Sequence, residues 1–113
     1  MATAITDDFM RTMRARARGY AVLILKKGPR YRLDAEKRII WEHGRRNHAL
    51  RADGVLSIVC PILDDSEYAG IGVFNCSVEA ARRLMEDDPA VKAEVLTFEI
   101  HPSRSFPGDA LPS

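Results

Sequence analysis

The stretch Tyr20-Ala21-Val22-Leu23-Ile24-Leu25 constrains this chain more than any other, because it is an unbroken, β-prone apolar run. Successive side chains point to opposite faces of a strand. Val22 and Ile24 therefore face one side, and Leu23 and Leu25 the other. A strand apolar on both faces belongs inside a sheet that is covered on both sides. At 113 residues the chain is long enough for one core and short of two. Its own helices can cover one face of such a sheet, which leaves the second face in need of a partner.

The rest of the chain alternates around that run. Gly28-Pro29 ends the first strand, and residues 34–53 read as a helix with Asp34 as N-cap and Gly54 just past its end. Residues 55–62 read as a second strand. After an acidic, polar turn, residues 68–75 return as a third, with Gly70 and Gly72 on one side leaving room for close approach. Ser77 caps a second helix running to about Asp87, with Val78, Ala81, Leu84 and Met85 as its buried stripe. Pro89 forces its end, since the residue before a proline resists helical geometry. Residues 95–101 form a fourth strand, and residues 102–113 are a tail without a pattern.

The order β-α-β-β-α-β, with right-handed crossovers, puts both helices on one face of a four-stranded antiparallel sheet. This is an α+β, ferredoxin-like arrangement. The other face, together with the apolar row Leu96, Phe98 and Ile100, calls for cover. The simplest cover is a second copy of the chain, a homodimer with sheets face to face. Three segments are expected: an arm (1–18), a domain (19–102) and a tail (103–113). The arm carries Arg11, Arg14 and Arg18 along one helical face and Phe9, Met10 and Met13 along another, and reads as a solvated face with a few apolar contacts.

Composition excludes little but points one way. Hydrophobic residues make up 46%, charged residues 29%, and the formal net charge is +1, so bulk charge favours neither nucleic acid nor membrane. No apolar run approaches a membrane span. Asp7 and Asp8 lie where a secretion signal would be apolar, so the expected location is cytoplasmic. Cys60 and Cys76 sit in strand-like apolar surroundings and read as reduced, buried thiols.

His43 carries the chemistry. It lies near one helical face with Ile39 and Leu50, and Asn47 is beside it. A polar group on a buried stripe is costly without a partner. Asp88, just beyond the second helix, is a candidate for that partner, and an imidazole beside a carboxylate makes a proton-transfer site. The plainer alternative is a core histidine bonded to a backbone carbonyl, with Asp88 capping the turn before Pro89. His43 and His48 point about 140° apart on a helix and should not chelate one ion. Cys60 has no basic neighbour in sequence to make it a nucleophile. Trp41, Arg45 and His48 share a helical face that reads as an exposed binding surface or, more plainly, as a cover for the N-terminal arm. For His101, at the end of the last strand, both a pocket edge and a plain strand end stay open. No phosphate-binding loop, dinucleotide fingerprint or Ser-His-Asp signature is present.

Three marks in order carry a family resemblance: His43 followed eleven residues later by Gly54, a strand ending at Cys60-Pro61, and the acidic-proline step Asp88-Pro89-Ala90-Val91. From Gly19 to Pro102, about three-quarters of its length, the chain resembles the YCII-related domain family. The resemblance implies a dimeric α+β barrel and a small-molecule enzyme, with His43 and Asp88 at the active site. One branch of that family removes hydrogen chloride from a chlorinated hydroxymuconate. Cys60-Pro61 departs from the family's usual Gly-Pro, so a thiol narrows the pocket and puts the family's substrate in doubt.

The expected function is a cofactor-independent, metal-free lyase (dehydrochlorinase-like) or isomerase acting on a small organic acid-like substrate. His43 would take a proton from carbon and Asp88 would orient the imidazole. Asn47, Cys60 and Pro61 would line the pocket, and Arg45 or Arg46 would draw an anionic substrate. The alternative is a non-catalytic dimeric module that binds a small ligand or a partner protein. For the tail two readings stand level: Phe106 between prolines anchors across the dimer partner, or residues 102–113 are a frayed terminus.

Overall fold

The computed structural model describes residues 2–35 and 37–113. Helix α1 (Asp7–Arg16) leads into strand β1 (Arg18–Lys27). After a single 3-10 turn come helix α2 (Arg38–Ala52), strands β2 (Leu56–Pro61) and β3 (Tyr68–Phe74), helices α3 (Val78–Glu86) and α4 (Pro89–Lys92), and strand β4 (Leu96–Ser105). The sheet order is β2-β3-β1-β4 and every pairing is antiparallel. That is the ferredoxin-like topology, with β1 central as its two-sided apolarity requires.

Register decides which side chains meet the helices. Leu23 pairs with Gly72 and Ile100, and Leu25 with Gly70 and Phe98. These positions lie on the helix side, with Leu56 and Phe74, and form the core together with Ala81, Met85 and Ala90. The row Leu96, Phe98 and Ile100 thus belongs to the covered face, not the open one. On the open face stand Val22, Ile24 and Val73, half-buried, and Ile71, 42% exposed. A small polar cluster shares that face: Glu99 bonds Lys26 at 2.8 Å and His101 at 3.0 Å. Lys26, then His101, hold the Glu99 carboxyl below its usual range. His101 is exposed there, bonded to Glu99.

Three element boundaries differ from the sequence reading, each for a local reason. Helix α2 starts at Arg38, not near Asp34, behind a left-handed Lys37 (φ 55°). Asp34 still caps it from a distance, its carboxylate accepting the N–H groups of Ile39 (3.1 Å) and Ile40 (3.0 Å). The chain does not simply stop at Pro89. Asp88 caps one further turn, α4, with Pro89 in the first helical position where its missing N–H costs nothing. Strand β4 runs on to Ser105, because Arg18, Gly19 and Tyr20 of β1 supply partners for it.

Both edge strands contain a proline, Pro61 in β2 and Pro102 in β4. Ile62 donates to the Ala69 carbonyl (3.0 Å), so the neighbouring Pro61 nitrogen faces away from β3. On the other edge Gly28 donates to Val95 (2.8 Å), and the β1–β4 register continues without a bulge. Alternation therefore turns the Pro102 nitrogen outward as well.

Helix α1 buries none of its residues. Met10 and Met13 line a groove with Arg104 and Phe106 of the C-terminal end, away from α2. Trp41 is 68% exposed, so the α2 face it shares with Arg45 and His48 does not cover the arm. Phe106 is half-buried within its own chain, and also borders Tyr20, Ile58 and Val73. Cys60 and Cys76 are free and half-buried rather than fully enclosed, and burial pushes the Cys76 thiol up. No helix among the described residues is long and apolar enough to cross a membrane.

Candidate active site

The buried residues of α2 are polar: His43 and Asn47, one helical turn apart. Ile39, Ile40 and Leu50 flank them only half-buried. A helix that turns an imidazole and an amide into a core needs partners for both.

Asp88 is one partner. It is completely buried. Its Oδ1 accepts from the Ala90 N–H at 2.9 Å and the Val91 N–H at 3.4 Å, while Oδ2 accepts from His43 Nδ1 at 2.8 Å. The two readings of Asp88, helix cap and histidine partner, are both realised, one on each oxygen. Burial pushes this carboxyl up, but the His43 hydrogen bond and charge, with the Ala90 and Val91 N–H groups, outweigh it and hold it below the ordinary range. Asp88 is thus an anion that only accepts, which fixes the hydrogen on Nδ1 of His43.

Asn47 is the second partner. With the hydrogen on Nδ1, Nε2 carries the lone pair whenever the ring is neutral, and in that state Asn47 Nδ2, 3.1 Å away, donates to it. Asn47 Oδ1 is buried and has no hydrogen-bond partner. Arg46 brings Nη1 to 3.6 Å from Asp88 Oδ2, beyond hydrogen-bond length. That nitrogen, too, is buried without a hydrogen bond. Arg45 instead bonds Glu42 on the exposed surface at 3.0 Å. Neither arginine serves an anion in the pocket. Arg46 belongs to the Asp88 cluster, which its position one helical turn from Leu50 and three residues from His43 did not advertise.

A cavity of about 280 Å³ opens beside His43 and Asn47, between α2 and the β2–β3 hairpin. Its walls are mainly apolar, including Leu23, Leu25, Val59 and Leu96. Gly70 and Gly72 form part of the floor. A side chain at Gly72 would come within 3.2 Å of Leu56, and one at Gly70 within 3.2 Å of the Cys60 carbonyl. Cys60 and Pro61 both border the cavity. Cys60 pairs with Ile71, a position on the open face, so its thiol is directed away while Pro61, opposite Gly70, is on the cavity side. Among the described residues no lysine or arginine lines this cavity.

No protein-family model matches the chain, and no curated protein does either. Solved structures do. One is 5-chloro-2-hydroxyhydroquinone dehydrochlorinase (TftG) from Burkholderia phenoliruptrix AC1100, in complex with 2,5-dihydroxybenzoquinone. It superposes with a TM-score of 0.55 at 16% identity, over 73% of this chain and 90% of that one. The likeness is one of fold. A dimeric ferredoxin-like protein from an uncultured marine organism gives a TM-score of 0.39 at 10% identity, over 85% of this chain and 100% of that one.

Proposed function

We propose that the chain is a YCII-like, cofactor-independent enzyme that moves a proton on a small organic molecule, with His43 as the base and Asp88 as the group that orients it. The observation behind this reading is the buried His43–Asp88 bond of 2.8 Å beside a cavity large enough for one ring-sized substrate. The neighbouring fold with dehydrochlorinase activity supports the same class of chemistry. In this reaction the C–H electron pair stays on carbon as the proton passes to His43 Nε2. The pair then forms a double bond as a β-substituent such as chloride leaves with its own electrons. In an isomerase it is instead re-protonated elsewhere. Asp88 stabilises the imidazolium without taking its proton.

The lack of a cation along the described cavity wall favours enclosure of the uncharged, carbonyl-bearing part of an organic acid-like substrate. A carboxylate then stays at the mouth, near the exposed His48. The open sheet face, with Ile71 and its apolar neighbours, supports assembly into a face-to-face homodimer. A second reading, a ligand-binding module without turnover, draws on one observation: Asn47 already occupies the Nε2 lone pair.

Proton NMR in D₂O on a panel of small hydroxy-, keto- and chloro-dienoic acids and lactones separates the two. An enzyme gives deuterium incorporation or halide release that falls by roughly 10²-fold or more in His43→Ala. Line-broadening without exchange in both proteins would establish the binding module instead.

A further inference from the structure

Asn47 presents a question that the His43–Asp88 pair leaves open. A base needs a free lone pair, yet Nε2 of His43 accepts from Asn47 Nδ2 at 3.1 Å. The other end of the same amide, Oδ1, is buried with nothing to accept from. Turning the amide over would exchange one unpartnered end for the other and leave the rest of the pocket unchanged. The orientation is therefore decided by Nε2 alone. A lone pair there calls for Nδ2–H, and a proton there calls for Oδ1.

We infer that the Asn47 side-chain amide turns over when His43 gains its proton, so that Oδ1 receives the new Nε2–H and Asn47 acts as a positioning residue for both states of the base. The inference rests on the proton-accepting role proposed for His43. It adds that the imidazolium is held from two sides, by Asp88 at Nδ1 and by Asn47 at Nε2. Without the turn, a protonated Nε2 would face an amide NH₂, donor against donor. The groups that bear on the ring are Asp88 from the start of α4, Arg46 from α2, and His48, Tyr31 and Cys60 around the cavity. The cavity residues from β1, β3 and β4 are apolar or glycine. None of these groups offers Nε2 a hydrogen bond in place of Asn47.

The test uses the whole chain, labelled with ¹⁵N and ¹³C and free of substrate. Below the His43 titration midpoint, a turned amide gives a slowly exchanging Hε2 and a through-bond coupling from His43 Nε2 to Asn47 Cγ. A second measurement is the sign of the midpoint shift in Asn47→Leu. If the amide turns, the variant loses the stronger, charge-assisted bond to the imidazolium, and the midpoint falls by roughly half a unit or more. If the amide is fixed, the variant loses only a bond to the neutral ring, and the midpoint rises. A freely exchanging Hε2 without the coupling, or a raised midpoint, overturns the inference. Should Asn47→Leu not fold, the wild-type coupling decides. Because no turnover is measured, an inactive protein that shows the coupling refutes the enzyme reading and leaves this one standing.

Discussion

Replacing Asp88 by asparagine separates its two duties. Asparagine and aspartate are equivalent helix caps, so the amide oxygen can still accept from Ala90 and Val91 at little cost. The other oxygen becomes an NH₂ facing His43, and the charge-assisted bond of 2.8 Å is lost. A hydrogen bond to a charged group contributes about 1.5–3 kcal/mol, and the buried Arg46 nitrogen also loses the Asp88 charge 3.6 Å away. The expected loss is about 2–4 kcal/mol, set against total stability of about 5–15 kcal/mol for a domain of this kind. With a urea slope of roughly 1.5 kcal/mol per M, the unfolding midpoint should fall by roughly 1–3 M. Asp88→Ala also removes the cap and should cost about 1 kcal/mol more. Urea unfolding followed by circular dichroism at pH 8 measures both. A midpoint for Asp88→Asn within error of wild type would refute the energetic link to His43, and equal midpoints for the two variants would refute the capping role.

Three further outcomes are expected. The Asp88 carboxyl is held low in the folded chain, so its contribution is complete above the unfolded value of about 3.9 and is lost as pH falls below it through the folded value; urea midpoints between pH 3 and 7 should drop more steeply in wild type than in Asp88→Asn. Gly28→Ala would push a methyl to 2.4 Å from the Glu94 carbonyl oxygen and should destabilise by about 1–3 kcal/mol or more, whereas Gly44→Ala, with nothing within 4 Å in mid-helix, should stabilise by up to about 1 kcal/mol, both read from urea unfolding midpoints. Ile71→Asp on the open sheet face should leave the fold intact and shift the species seen by sedimentation from dimer to monomer, and an unchanged dimer would exclude that face as the interface.

Strand identity was legible where two-sided apolarity left one solution. The run from Tyr20 to Leu25 could only be central, and once it is, the βαββαβ order closes into one topology. Helix boundaries were less so. The start of α2 depends on a left-handed Lys37 and on a carboxylate acting from four residues upstream, neither of which a capping pattern records. His43 was visible as a polar group on a buried stripe and Asp88 as its candidate partner beyond the second helix, but a bond between residues 45 apart exists only after the sheet brings α2 and α4 together. Arg46 was read as an attractant for substrate rather than as a neighbour of Asp88, because nothing local marks an arginine whose guanidinium turns inward. Cys60 borders the cavity as expected, but its thiol does not narrow it, because a one-residue step from Pro61 along the strand reverses the face.

The outward-facing prolines bear on how copies of this chain can aggregate. An open sheet normally invites a stranger's backbone to dock along its rim, the first step of ribbons and fibrils. Here a hydrogen-bond donor is missing from the solvent side of each rim, at Pro61 and at Pro102. Edgewise recruitment is therefore blunted at both ends of the sheet. A copy of this chain that meets the sheet is thus steered away from its rims, and growth of a ribbon by strand addition is hindered at both ends.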